Sequence, residues 1–186
     1  MSYLQINKVR VTMDKSTEKA LKLLQNISSF EKINKKLLSL NQEYTPRRDC
    51  DYFAIEDYFP FVYEECIELL VELAVFMRKK SEKFKEYGES INAKVKYSNT
   101  SKYLDGRDIT FDATLSKIIH ATDISFELKS FDGMIGYGYA VDRNSSFTGF
   151  ALICGEEKDG TKYQAKIDII KFCVNVFMVT AHRDYI

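Results

Sequence analysis

Asp112, Ser116 and His120 recur at i, i+4 and i+8, so on a helix an acid, a hydroxyl and an imidazole share one stripe. Histidine is the side chain most easily poised for proton transfer near neutral pH, and the chain has 2. These residue types invite a hydrolase reading, but the helix argues against a triad. Two turns, roughly 12 Å at about 1.5 Å per residue, separate Asp112 from His120, too far for the acid to orient the imidazole. A GxSxG elbow is also missing. The chemistry that survives is proton transfer by His120, with Ser116 one turn before it and Lys117 as the nearest cation. The structural alternative is a polar helix face with His120 near the C-terminal end, where positive charge is favoured.

Other segments offer weaker chemistry. Arg47, Arg48 and Arg107 are candidate phosphate contacts. The run Arg78-Lys79-Lys80 with Lys83 and Lys85 reads as a solvated helix tail, because Glu82 and Glu86 fall on the same turns. Gly133, Gly136 and Gly138 form GxxGxG rather than GxGxxG, and no helix follows directly, so a close-packed glycine-rich strand is expected. In YFAIEDYFPFVY (Tyr52–Tyr63) the aromatic residues do not all face one core easily, which makes Tyr58, Phe59 and Phe61 candidate partner-binding residues. His120 and Asp123 stand three apart with no second ligand pair, so neither a metal nor a cofactor is expected.

The elements that must position these residues follow from periodicity. Tyr3–Met13 alternates like a half-buried strand, and Asp14 offers an N-cap. Ala20, Leu23, Leu24, Ile27, Phe30, Leu37 and Leu38 give helical spacing to about Leu40. Asn41–Asp57 reads as a linker. A central helix is expected from Pro60 to about Phe84, since proline suits the first helical turn. Tyr87–Gly106 is polar and reads as a loop. The His120 helix turns Phe111, Leu115, Ile118 and Ile119 inward. Ile124–Ser130, Met134–Val141 and Phe147–Cys154 then read as a three-stranded meander, with a two-residue turn at Asp132-Gly133. Thr161 with Gln164 matches a capping box and predicts a last helix carrying Tyr163, Ile167, Ile170, Val174 and Phe177 on one face. Its β-branched residues keep a strand over Ile167–Val179 as an alternative.

At 186 residues the chain fits a single domain, 1–186. Hydrophobic residues make up 45%, enough for a core. The 27 basic and 27 acidic residues balance, which disfavours a broad surface for duplex DNA while leaving RNA open. The first sixteen residues lack an apolar core of signal-peptide length, and Glu68 and Glu72 interrupt the longest apolar run, so a cytoplasmic protein away from the membrane is expected. The 4 cysteines (Cys50, Cys66, Cys154, Cys173) are scattered and read as reduced thiols.

The string KIIHA at Lys117–Ala121, preceded by two long helices, resembles the HEPN group of helical domains. The resemblance implies RNA cleavage or a nucleotide-related role in bacterial or phage conflict systems. Ribonuclease members carry Arg, four to six residues, then His. Here Ala113, Thr114 and Leu115 hold the three positions open to that Arg, so the resemblance implies a catalytically degenerate copy. The expected fold is α+β: three or four helices packed with the meander. The expected function is a non-enzymatic interaction or regulatory protein of such a conflict system, as a homodimer or with a protein partner. The alternatives are a ribonuclease using His120, with Arg107, Lys117 or a second subunit as the phosphate clamp, and a small-ligand-binding domain using a pocket between meander and central helix.

Overall fold

The structure is a computed structural model and describes residues 14–44, 58–81, 91–97, 106–137 and 145–181. The expected strand Tyr3–Met13, the Arg47-Arg48 pair, Cys50, Lys83, Lys85, Gly138 and His182 lie outside the described residues.

Among the described residues four helices and six strands follow one another as α1 (Lys15–Tyr44), α2 (Tyr58–Ser81), β1 (Ile91–Tyr97), β2 (Arg107–Thr110), α3 (Phe111–Ile119), β3 (Ala121–Ser130), β4 (Ile135–Tyr137), β5 (Ser145–Glu156), β6 (Lys162–Asp168) and α4 (Ile169–Ala181). The strands form one antiparallel sheet in the order β2-β1-β6-β5-β3-β4. The α+β class is therefore as the sequence predicts.

The helical layer packs on the sheet face bearing Ala93, Val95, Phe126, Leu128, Ala151, Ile153, Tyr163, Ala165 and Ile167, all buried. α2 is the central helix: Val62, Cys66, Leu70, Leu73, Ala74 and Met77 are buried along it. α1 contributes Ala20, Leu23 and Phe30; α4 contributes Ile169, Phe172, Val176 and Val179. Asp14 caps α1 as expected, its Oδ1 accepting the Ser16 N–H at 2.8 Å. The same carboxylate pairs with Lys80 at 2.7 Å, so the basic end of α2 is tied to the start of α1 rather than projecting free.

The three-stranded meander is corrected. Only the β3–β4 hairpin forms between sequence neighbours there. β5 returns to the other side of β3, and β1, β2 and β6 complete a six-stranded sheet. β1 lies within the segment expected to be a loop. Ile91, Ala93, Val95 and Tyr97 alternate there with Asn92, Lys94 and Lys96, a strand period that the polar residues on either side of it obscure. The capping box at Thr161/Gln164 is also overridden. Tyr163, Ala165 and Ile167 face in while Lys162, Gln164 and Lys166 face out, a period of two that lets β6 pair with β1 and β5 at once. The last helix starts only at Ile169, where Asp168 accepts the Lys171 N–H at 3.0 Å.

The turn after β3 differs by one residue from expectation. Ser130 and Met134 close a loop of Phe131, Asp132 and Gly133, through Ser130 N–H to Met134 O at 2.8 Å and Gly133 N–H to Ser130 O at 2.9 Å. Gly133 takes φ +99°, the left-handed position that such three-residue hairpin loops require.

Aromatic residues join the layers. Phe30 stacks on Tyr58 at 5.6 Å between ring centroids, and meets Phe59 and Phe147 edge-on at 5.7 and 5.0 Å. Tyr63 bridges α2 to the sheet: its ring meets Phe126 at 6.0 Å and its oxygen accepts the Phe126 N–H at 3.0 Å. That N–H lies where the β3–β5 register shifts, between Phe126 and Leu128, so the tyrosine satisfies a donor at an irregularity in the ladder.

Candidate functional site

α3 is a short helix opened by Thr110, whose hydroxyl accepts the Ala113 N–H at 3.3 Å. It buries Phe111, Leu115 and Ile118 as expected, and Lys117 with them. Lys117 Nζ lies 4.0 Å from the centre of the Tyr163 ring and pairs with Glu157. The Tyr163 hydroxyl donates to the Lys117 carbonyl at 3.0 Å. Burial pulls the Lys117 amine below the usual lysine pKa. Its charge is thus directed at Glu157 and an aromatic face, away from the polar stripe of its own helix.

His120 caps the C-terminus of α3 and is exposed. Its backbone N–H donates to Ser116 O at 3.1 Å; among the described residues its imidazole has no hydrogen-bond or ion-pair partner. Ser116 is half-buried one turn below. Arg107 is exposed on β2, before the opposite end of α3, with the helix length of about 13 Å between it and His120. The structure therefore brings His120 and Ser116 together on one stripe, turns Lys117 inward and leaves Arg107 remote. Among the described residues no group of three His, Cys, Asp or Glu side chains could hold a metal.

Of the aromatic candidates, Phe59 sits in the core at 6% exposure and Tyr58 is half-buried against Phe30, so the Phe30–Tyr63 cluster absorbs them. Phe61 alone points outward, 64% exposed.

Two features were not read from the sequence. The first surrounds Glu127 on the sheet face opposite the helices. Alternation places it outward, yet it is 7% exposed. Its carboxylate accepts from Lys166 Nζ at 2.6 Å, the Tyr137 hydroxyl at 2.7 Å and the Thr148 hydroxyl at 2.7 Å. Burial alone would raise its pKa; the Lys166 ammonium and the two hydroxyls outweigh that and hold it below the usual carboxylate range. Lys166 Nζ also lies 4.5 Å from the centre of the Phe150 ring. The donors come from β4, β5 and β6, so nothing local to Glu127 announces them.

The second feature is the outer face of α4. Ile170, Val174 and Met178 are 57%, 48% and 49% exposed at i, i+4 and i+8. Phe172, Cys173, Val176 and Val179 fill the opposite side. The predicted helix carries Ile170 and Val174 on one face with Tyr163, Ile167 and Phe177; in the structure Tyr163 and Ile167 belong to β6 and are buried, while Ile170 and Val174 stand exposed on the helix.

No family model, curated protein or solved structure matches this chain. No described helix is long and apolar enough to cross a membrane.

Proposed function

We propose that the chain is a non-enzymatic interaction protein that presents helix α4 to a protein partner. The observation that supports this reading is the apolar stripe of Ile170, Val174 and Met178, each about half exposed on a helix whose other side is packed. Contiguous exposed apolar surface of this kind marks interaction sites more often than isolated apolar residues do. The His120 end of α3 favours the same side of the choice. An acid–base histidine in phosphodiester chemistry needs positive charge aimed at the phosphate oxygens, and the nearest lysine on the helix is paired with Glu157. A setting in a conflict system rests on the resemblance of Lys117–Ala121 alone.

The test is a photo-cross-linking side chain at position 174 in cells that make the protein, with position 162, exposed on the far sheet face, as control. Adducts with a protein at 174 and not at 162 are the expected result. The absence of adducts at 174 would overturn the reading, as would robust RNA cleavage by the purified chain that disappears in His120→Ala.

A further inference from the structure

We infer that the partner of α4 is a second copy of this chain, docked antiparallel about a two-fold axis at Val174. The inference rests on the reading of α4 as a docking face and adds the identity and geometry of the occupant. The exposed apolar residues are spaced evenly, four before and four after Val174. An antiparallel pair of such helices sets Val174 against its own copy and Ile170 against the second copy's Met178, so the stripe is complementary to itself, as a two-fold interface must be.

Charge points the same way. Lys171 is the only charged residue in Ile169–Ala181. A partner chosen by charge would find little to grip, whereas two copies bring no like charges together at the centre. Antiparallel docking also puts each Lys171 near the last turn of the opposing helix, where the carbonyl ends favour a cation. A contact built on one 13-residue helix and its margin falls at the low end of specific interfaces, below about 1,200 Å² in total. The dimer is therefore concentration-dependent.

Sedimentation of the full chain over micromolar concentrations should show a monomer–dimer equilibrium. Val174→Glu, which sets two like charges against each other at the axis, should weaken it at least about tenfold, while circular dichroism and the unfolding midpoint stay near those of the parent. The geometry has its own test in a background of Cys50→Ser and Cys154→Ser. Val174→Cys alone should form a disulfide dimer under mild oxidation. Ile170→Cys alone should not, because its two copies lie about 12 Å apart along the axis, beyond disulfide reach. Ile170→Cys mixed with Met178→Cys should cross-link. A monomer at every concentration overturns the inference; if position 174 still photo-cross-links to another protein, the docking face survives and only its occupant was misassigned. A dimer that Val174→Glu leaves intact, or that cross-links through Ile170→Cys alone, also overturns it.

Discussion

Glu127 shows how much a single side chain depends on residues far from it in sequence. Three donors from three other strands converge on a carboxylate that would otherwise be costly to bury. Its folded pKa lies below the usual value, so its stabilisation is fully present above the ordinary carboxylate range near 4.3 and is lost as pH falls through the folded value. Glu127→Gln should therefore lower the unfolding free energy at pH 7 by about 1–2 kcal/mol, the scale of charge-assisted hydrogen bonds. In denaturant titrations the gap between variant and parent should narrow steadily on acidification. A gap of equal size at pH 7 and pH 3 would show that shape, not charge, explains the loss. His120 is the contrasting case. It is exposed, and among the described residues its ring has no hydrogen-bond or ion-pair partner, so His120→Ala should change stability by less than about 0.5 kcal/mol. Phe59 and Phe61 separate in the same way. Phe59→Ala should cost about 3–5 kcal/mol, as truncation of a buried aromatic does. Phe61→Ala should be nearly neutral to folding in the same melts. Comparable losses for the two would mean that Phe61 is packed in solution.

At the scale of elements, Gly155 on β5 leaves the space in which the side chain of Tyr163, its cross-strand neighbour on β6, lies. A methyl group there would meet the Tyr163 ring and hydroxyl, the nearest atom at 2.3 Å. The ring cannot retreat easily, because its hydroxyl donates to the Lys117 carbonyl and the Lys117 ammonium lies on its face. Gly155→Ala should thus cost about 1–3 kcal/mol through overpacking, and in the double variant with Tyr163→Ala the two losses should sum to less than additive. Strict additivity in chemical melts would show that the clash is relieved elsewhere. These contacts also explain what the sequence could and could not tell. α1, α2 and α3 were legible because each repeats apolar residues at helical spacing beside a cap or proline that a single segment carries. β3 was legible from Ile124, Phe126 and Leu128. β1 and β6 carry the same period of two, at Ile91, Ala93, Val95 and Tyr97 and at Tyr163, Ala165 and Ile167, but polar surroundings obscure the first and a local capping signal competes with the second; pairing with strands remote in sequence decides both. The site fared similarly. The position of His120 at a helix end could be read from periodicity, whereas the inward turn of Lys117 required Glu157 and Tyr163, about 40 residues downstream.

At the scale of the whole molecule, one helical layer on one sheet face means that α2 and α4 share the same interior. Cys66 on α2 and Cys173 on α4 report on it from two sides. Both are fully buried, and burial pushes both thiols up to about 12, so in the native state neither presents a thiolate to a reagent at neutral pH. Among the described cysteines, Cys66, Cys154 and Cys173 are all free thiols. The two buried ones become reactive only when the layer opens. α4 packs against α1 and is tied at its far end by Thr180 Oγ1 to Thr17, while its start continues directly from β6. Neither end has an independent way to peel off, so helix and sheet should open as one cooperative unit. Labelling by a thiol reagent, followed residue by residue in rising denaturant, should give Cys66 and Cys173 the same opening free energy and the same denaturant slope. If Cys173 labels at far lower denaturant than Cys66, α4 detaches before the core unfolds. The docking stripe would then be carried by a mobile arm instead of a fixed face.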